Sequence, residues 1–246
     1  MEWQPVTPET YCPIVELRQY TLHPGTRETL IALFDREFVE PQEVAGMQVI
    51  GQFRDLDRPD HFVWFRGFTE IATRAQALTR FYSGPVWRAH RDAANATMID
   101  SDDVFLLREA RPGSGLRTHG RIRSAPGAPA SNAHLLSVTV SRFSEPVCER
   151  AAGFLYDVIE PALIAEGALI RGTYITEYGP NDYPALPVRQ GEHAVVWVAE
   201  YADVRSLAAD SVASDPGLLW RRTALGASLA AAPTVLRLAS TARSLL

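Results

Sequence analysis

Lysine is absent from this chain: every one of its 24 basic positions is an arginine. Without an ε-amine there is no Schiff base to a carbonyl or pyridoxal cofactor, and no P-loop lysine for a nucleotide phosphate. Cysteine is scarce. Cys12 and Cys148 have neither CxxC spacing nor an evident partner, so they read as buried thiols in a reducing compartment rather than a disulfide framework. There is no HExxH and no Cys/His cluster, and Asp100, Asp102 and Asp103 lack the spacing and glycine of a calcium loop, so no metal is expected. No GxGxxG follows a strand and no GxSxG elbow occurs, which argues against a dinucleotide fold and an α/β-hydrolase. His90-Arg91-Asp92 spells a kinase-like tripeptide with nothing else of that signature around it. No apolar run nears the roughly 18 residues of a membrane span. The opening MEWQPVTPET has neither the basic nor the apolar region of a signal peptide. A net charge of −5 offers no basic field to nucleic acid or anionic lipid. These absences predict a cytoplasmic protein whose partner is a small molecule, not nucleic acid or membrane.

What the chain does contain is a duplication. Glu40-Pro41 returns as Glu160-Pro161 and Gly46 as Gly167, at offsets of 120 and 121 residues. The stretch VWFRGF at 63–68 returns as VWVAEY at 196–201, and Trp87-Arg88 as Trp220-Arg221, at an offset of 133. The jump in offset places one insertion around Tyr178 to Gln190 of the second copy. Repeats this long indicate a duplicated α+β unit rather than a solenoid.

Each copy reads β-α-β-β-α-β. In the first, 14–20 alternates as a strand. Leu30, Leu33, Phe34 and Phe38 share a helical face after Thr26, a plausible N-cap, and Gly46 ends that helix. Residues 47–68 form a hairpin turning at Asp57-Arg58-Pro59-Asp60. Helical segments follow at about 70–81 and 87–95, and a strand, DVFLLRE, closes the unit. The second copy repeats this with strands at 135–141, 169–177, 194–201 and 234–239 and helices at 146–165 and 203–210. The expected fold is α+β, two tandem ferredoxin-like units whose antiparallel sheets close on each other as a barrel. Three segments are expected: 1–110, a mobile Gly/Pro/Ala/Ser-rich linker at 111–133, and 134–246. Its arginines make the linker locally basic, and a solvated tether is preferred over an anion-binding arm.

Alternation along the strands groups Glu16, Arg18 and Tyr20 on one face, Gln48, Ile50, Gln52 and Arg54 on another, and Trp64, Arg66 and Phe68 on a third. Polar and aromatic residues on otherwise aliphatic strands have the composition of a small-molecule pocket. The second copy has lost the charges: Glu16 and Arg18 correspond to Ser137 and Thr139, and Arg66 to Ala199, while Trp64 persists as Trp197. The expected site therefore lies inside the barrel on the first-copy side, with His90 and Arg91 near its mouth. Glu16, Arg18 and His90 are the catalytic candidates, with Glu16 or His90 as proton carrier. Tyr20, Arg54, Trp64, Arg66, Trp87 and Arg91 are the substrate-binding candidates. The alternative stays open that the charges are structural ion pairs, such as Glu16 with Arg18 or Arg66.

The segments VELRQYTLHPGTRETLIALF, GMQVIGQFRDLDRPDHFVWFRGF and FYSGPVWRAHRDAANATMIDSDDVFLLR resemble the NIPSNAP family over about 14–110. The matching positions are Glu16, Arg18, Tyr20, Gly46, Phe53, Arg54, Trp64, Arg66, Trp87, His90, Arg91 and Asn95. The resemblance implies the dimeric α/β barrel superfamily, which includes antibiotic-biosynthesis monooxygenases, muconolactone isomerases, polyketide cyclases and heme-degrading enzymes. It implies a cofactor-independent enzyme of bacterial secondary metabolism acting on a small aromatic or polyketide-like compound, as cyclase, isomerase, lyase or monooxygenase. Two alternatives follow from the same resemblance: a non-catalytic ligand-binding or scaffold protein, and a heme protein using His90. It also implies a homodimer.

Overall fold

The computed structural model describes residues 10–118, 121–128, 134–146, 148–209, 215 and 217–246. The first half supplies strands β2 (Ile14–Leu22), β3 (Gln48–Asp55), β4 (His61–Phe68) and β5 (Met98–Glu109). The second supplies β7 (Leu135–Phe143), β8 (Leu169–Thr176), β9 (His193–Tyr201) and β10 (Thr234–Ser240). Each half is an antiparallel sheet, in the orders β3-β4-β2-β5 and β8-β9-β7-β10, and the two join as one closed eight-stranded barrel. Closure leaves no free sheet edge. The joints are thin. β5 meets β8 through three residue pairs, Leu107 with Thr176 to Glu109 with Tyr174, and β10 meets β3 through three more.

Both sheet faces are buried, which explains the dense Val, Leu and Phe content of the strands. Val15, Leu17, Phe53, Val63 and Phe65 face the barrel interior, where they meet Leu136, Val138, Val196 and Leu238 of the second half. The residues between them face outward, under a layer of helices. In the first half these are α1 (Arg27–Leu33), α2 (Val39–Ala45), α3 (Arg74–Tyr82) and α4 (Pro85–Asn95). In the second they are α5 (Cys148–Phe154), α6 (Glu160–Ala165), α7 (Val204–Ala209) and α8 (Gly217–Arg221).

The repeated Glu-Pro has a local cause. Proline lacks an N–H and its ring crowds the carbonyl four residues back. In each half that carbonyl lies in a π-helical turn, Phe34–Phe38 before Pro41 and Leu155–Ile159 before Pro161, so the wider turn absorbs the proline without breaking the helix. The repeated glycine ends the same helix in both halves. Gly46 and Gly167 take φ of 104° and 88°, and the next residues, Met47 and Ala168, donate back to the Gln42 and Leu163 carbonyls at 3.1 and 3.0 Å.

Two expectations change. Thr26 does not cap with its side chain; its hydroxyl donates to the His23 and Thr97 carbonyls instead. The segment between the halves is not a solvated tether in its described parts. Strand β6 (Leu116–Arg117) pairs with β1 (Tyr11–Cys12), Leu116 and Thr118 are buried, and Arg123 donates to Glu43 at 2.6 Å and to the Val49 carbonyl at 2.7 Å. Gly115 allows this approach, because a Cβ there would sit 2.6 Å from the Cys12 carbonyl oxygen. Residues 119–120 and 129–133 of that segment lie outside the described residues, as do residue 210 of the 203–210 helix and the Cys148 side chain. Cys12 is buried, and burial pushes its thiol up to about 12, which fits an inert thiol. Among the described residues no helix is long and apolar enough to cross a membrane.

Candidate functional site

The first-half charges converge beneath the helices, not inside the barrel. Strand register sets Glu16 opposite Arg66 and Arg18 opposite Trp64. All point outward, toward α3, which lowers Arg74 onto the same spot. Glu16 accepts from Arg18 at 2.8 Å, from Arg66 at 2.9 and 2.5 Å, and from Arg74 at 2.8 Å. Glu16, Arg66 and Arg74 have no solvent exposure and Arg18 has 2%. The polar face lay outside because the barrel interior is filled by two sheets of aliphatic side chains, while the helix layer leaves space for long guanidinium arms.

Three guanidinium groups around one carboxylate leave positive charge in excess. The second half supplies part of the balance: Arg74 also pairs with Asp182 and donates to Asn181 at 3.1 Å. Both acceptors lie in the 178–190 insertion, which crosses from the second half as a strap over the first. Tyr183 stacks on Tyr82, Val188 enters the first-half core, and the Arg189 N–H donates to the Val104 carbonyl at 2.8 Å. Even with Asp182 counted, three buried cations face two carboxylates.

This arrangement decides which groups can move protons. Burial acts to raise the Glu16 pKa, but Arg66, Arg18 and Arg74 outweigh it and hold the carboxyl well below the usual carboxylate range. Glu16 is therefore an anchor and a poor base, contrary to the expected proton-carrying role. Burial raises the Tyr20 phenol even though Arg18 donates to it at 3.0 Å, so Tyr20 is neutral at pH 7.

An aromatic slot adjoins the cluster. Tyr20, Phe34, Phe38, Trp64, Tyr82 and Trp87 line it, and its free volume is about 30 Å³, the room of about one water molecule. Arg66 and Arg18 lie 5.2 and 5.6 Å from the Trp64 ring centre, and Arg66 donates to the Tyr82 hydroxyl at 3.2 Å. Trp64 is 2% exposed and its indole N–H has no acceptor among the described residues. A ligand in the slot would thus meet guanidinium charge, an unused donor and ring faces.

The other expected residues lie apart. Arg54 forms a two-pronged ion pair with Glu28 at 2.6 and 2.8 Å, in a separate cleft beside Asp35, whose carboxyl burial pushes up to about 6 against the pull of Arg243, Arg123 and Arg54. His90 is half-buried on α4, its Nε2 3.4 Å from Glu37 and its ring edge-on to Phe38. A carboxylate and a phenyl ring occupy the surroundings of that imidazole, an environment that does not fit a heme ligand. Arg91 is exposed and reaches Asp92 at 3.4 Å. Of the α4 residues expected at the site, Trp87 alone joins the slot, beside Ala94 of the same helix. Arg74 was missed in the sequence. Its signal was legible, since Arg74, Ala77, Leu78 and Phe81 form one buried helical stripe with an arginine at a core position.

Among the described residues the second half has no such charged cluster. Ser137 and Ala199 face each other where Glu16 and Arg66 do, and Thr139 faces Trp197. Ser141 stands in for Tyr20, and its small side chain lets Trp220 swing fully inside, its indole N–H donating to the Ser141 hydroxyl at 2.9 Å.

Asp182→Asn is expected to loosen the strap without unfolding the barrel. It removes one ion pair that is partly exposed, at 29%, on the Asp182 side, for a loss of about 1–2 kcal/mol. Amide exchange over residues 181–188 is expected to quicken at least tenfold while the barrel strands keep their protection; unchanged exchange there would mean that Asp182 does not hold the strap.

Residues 15–111 match the sequence profile of the NIPSNAP family. Among solved structures, a candidate monooxygenase of Fusobacterium nucleatum aligns over 94% of this chain and 93% of its own, at 10% identity and a TM-score of 0.56. One of Lactobacillus acidophilus aligns over 93% and 94%, at 11% identity and a TM-score of 0.51. A NIPSNAP family protein of Agrobacterium tumefaciens aligns with 39% of this chain and 87% of its own, at 20% identity and a TM-score of 0.36. No curated protein matches the chain in sequence. Residues 15–111 are thus similar to the NIPSNAP family, and the whole chain shares the fold of the two candidate monooxygenases.

Proposed function

We propose that this protein is an enzyme that binds a small aromatic or polyketide-like metabolite as its anion, in the first-half slot, and works without a cofactor. The observation that carries the reading is the buried excess of guanidinium charge on Arg18, Arg66 and Arg74 beside an aromatic slot with an unused indole donor. A phenolic or enolic hydroxyl entering that field loses its proton to water, and the arginines hold the resulting oxyanion in a low-dielectric site. Tyr20, Trp64 and Trp87 supply ring faces. An electron-rich enolate or phenolate held this way is the species from which cyclisation, isomerisation or attack on oxygen proceeds. At about 30 Å³ the slot admits no such ring until the side chains around it move, so a widening of the slot is part of binding. A second reading, a ligand-binding or scaffold protein without turnover, is favoured by one observation: Glu16 already satisfies the arginines that would hold the ligand.

The test is tryptophan-quenching titration with 1-hydroxy-2-naphthoate and with its neutral methyl ether ester. The anion is expected to bind at least tenfold more tightly, and Arg66→Gln is expected to remove that preference with the barrel still folded. Equal binding of the two compounds, or none, overturns the proposal. Mass analysis of aerobic incubations separates enzyme from binder.

A further inference from the structure

The cleft beside Asp35 is separate from the slot and larger, with a volume of about 360 Å³. That is room for a small organic molecule. One wall is the face of α1 that carries Ile31 and Ala32. The segment between the halves supplies another with Pro126 and Ala128, and Ala242, just after β10, adds to them. The polar groups of the cleft are unequally matched. Glu28 and Arg54 satisfy each other as the two-pronged pair, and Arg36 pairs with Glu37 at 2.7 Å. Asp35 forms no ion pair among the described residues.

Asp35 is the second residue of the π-helical turn Phe34–Phe38, a kind of turn frequent at functional sites. The same place in the turn of the second half holds Tyr156, so this carboxylate belongs to the first half alone. Asp35 is 8% exposed, and among the described residues its carboxylate accepts one hydrogen bond, a long one of 3.5 Å from Gln52 Nε2. The guanidinium groups around it are committed elsewhere. Arg54 serves Glu28 and Arg123 serves Glu43, while Arg243 serves Glu40 and the Asp35 and Ser124 carbonyls. Burial therefore outweighs the pull of Arg243, Arg123 and Arg54 and pushes the carboxyl up to about 6. At pH 7 the group is ionised yet short of partners, and a bound donor recovers part of that cost.

We propose that this cleft binds a small organic ammonium with an apolar body, its N–H groups on the Asp35 carboxylate and its body against Ile31, Ala32 and Ala128. A compact ammonium head suits a single carboxylate among apolar walls. A metal ion would need further oxygen ligands, and no group of three potential metal ligands occurs among the described residues. The other charged groups near Asp35 hold their charge between pH 5 and pH 8. The arginines stay protonated. Hydrogen bonds from Arg54 hold Glu28 below its ordinary pKa, and burial of Glu40 is outweighed by its bonds from Arg243. Ammonium binding in this cleft thus follows the ionisation of Asp35.

The experiment is calorimetric titration of the full chain with benzylammonium and n-hexylammonium, each beside its neutral alcohol, at constant ionic strength. At pH 8 at least one amine is expected to saturate a single site at least tenfold more tightly than its alcohol. Its affinity is expected to fall about tenfold at pH 5, where Asp35 is mostly protonated. Asp35→Asn is expected to abolish both the preference and the pH dependence, and Ala32→Leu, which narrows the cleft, to weaken amine and alcohol alike. Arg66→Gln is expected to change nothing here, so this site stands or falls separately from the slot. No saturation with either amine, equal binding of amine and alcohol, or undiminished affinity in Asp35→Asn overturns the proposal. If Asp35→Asn does not fold, Ala32→Leu and the pH dependence decide, and unchanged affinity in either overturns it.

Discussion

Glu16→Gln is expected to destabilise the protein by about 3–5 kcal/mol, because it leaves three buried guanidinium groups around a neutral amide. For a chain of this size that is a fall in melting temperature of about 6–20 °C. The same carboxylate gives the wild type an acid-sensitive component. Arg66, Arg18 and Arg74 hold the Glu16 pKa below its ordinary value in the folded state. In the unfolded chain the carboxyl takes up a proton at about pH 4.3. Between those two values the unfolded state binds more protons, so stability from this group is complete above about pH 5 and drains away as the pH falls. Denaturant melts at pH 7 and pH 4 check both points. The wild type is expected to lose stability across that interval more steeply than Glu16→Gln, and a variant within about 0.5 kcal/mol of wild type at pH 7 would mean that the cluster is held by something other than this carboxylate.

Trp220→Ala is expected to cost about 3–5 kcal/mol and to open in the second half the counterpart of the slot that the first half already has. Trp220 has no exposure, packs 5.2 Å from the Phe143 ring and 4.9 Å from Phe154, and satisfies the buried Ser141 hydroxyl. Its repeat partner Trp87 is only partly buried at the slot rim, so Trp87→Ala is expected to cost less. Melting temperatures of the two variants give the ranking. Adding indole is expected to restore part of the loss in Trp220→Ala, since a dry apolar cavity binds a matching ring. A smaller loss for Trp220 than for Trp87 would show that the two halves are not filled as described.

The fold was legible because its evidence is repeated. Pro41 and Pro161, Gly46 and Gly167, and Trp64 and Trp197 each occupy matching places in the two halves, and the strand registers bear this out. Alternation also grouped Glu16, Arg18 and Tyr20 correctly on one face. It could not say which face looked into the barrel, because both faces are buried and both carry large apolar residues. Polarity was read as cavity lining, when in this fold long polar arms fit under helices and the interior takes Val and Leu. His90 and Arg91 share α4 with Trp87, and Arg54 lies on the strand beside β4, yet all three lie elsewhere, since neighbourhood on an element or sheet does not fix which end or side a residue occupies. Asp182 was beyond reach for another reason. The offset change marked the insertion, but nothing in its residues tells that it crosses to the other half and meets Arg74.

Carrying both sheets on one chain changes what a mutation can do. In a barrel assembled from two identical chains every substitution appears twice, so a buried charge must be tolerated in both copies and a crossing loop must find room on both sides. Here Glu16 and Arg66 sit in one half while Ser137 and Ala199 hold the matching places in the other. The half without charges is then free to specialise as the support: Trp220 solidifies its core and its long loop reaches across to close its neighbour. On one chain, the half that carries the buried charge cluster and the half that supplies the strap over it need not be alike.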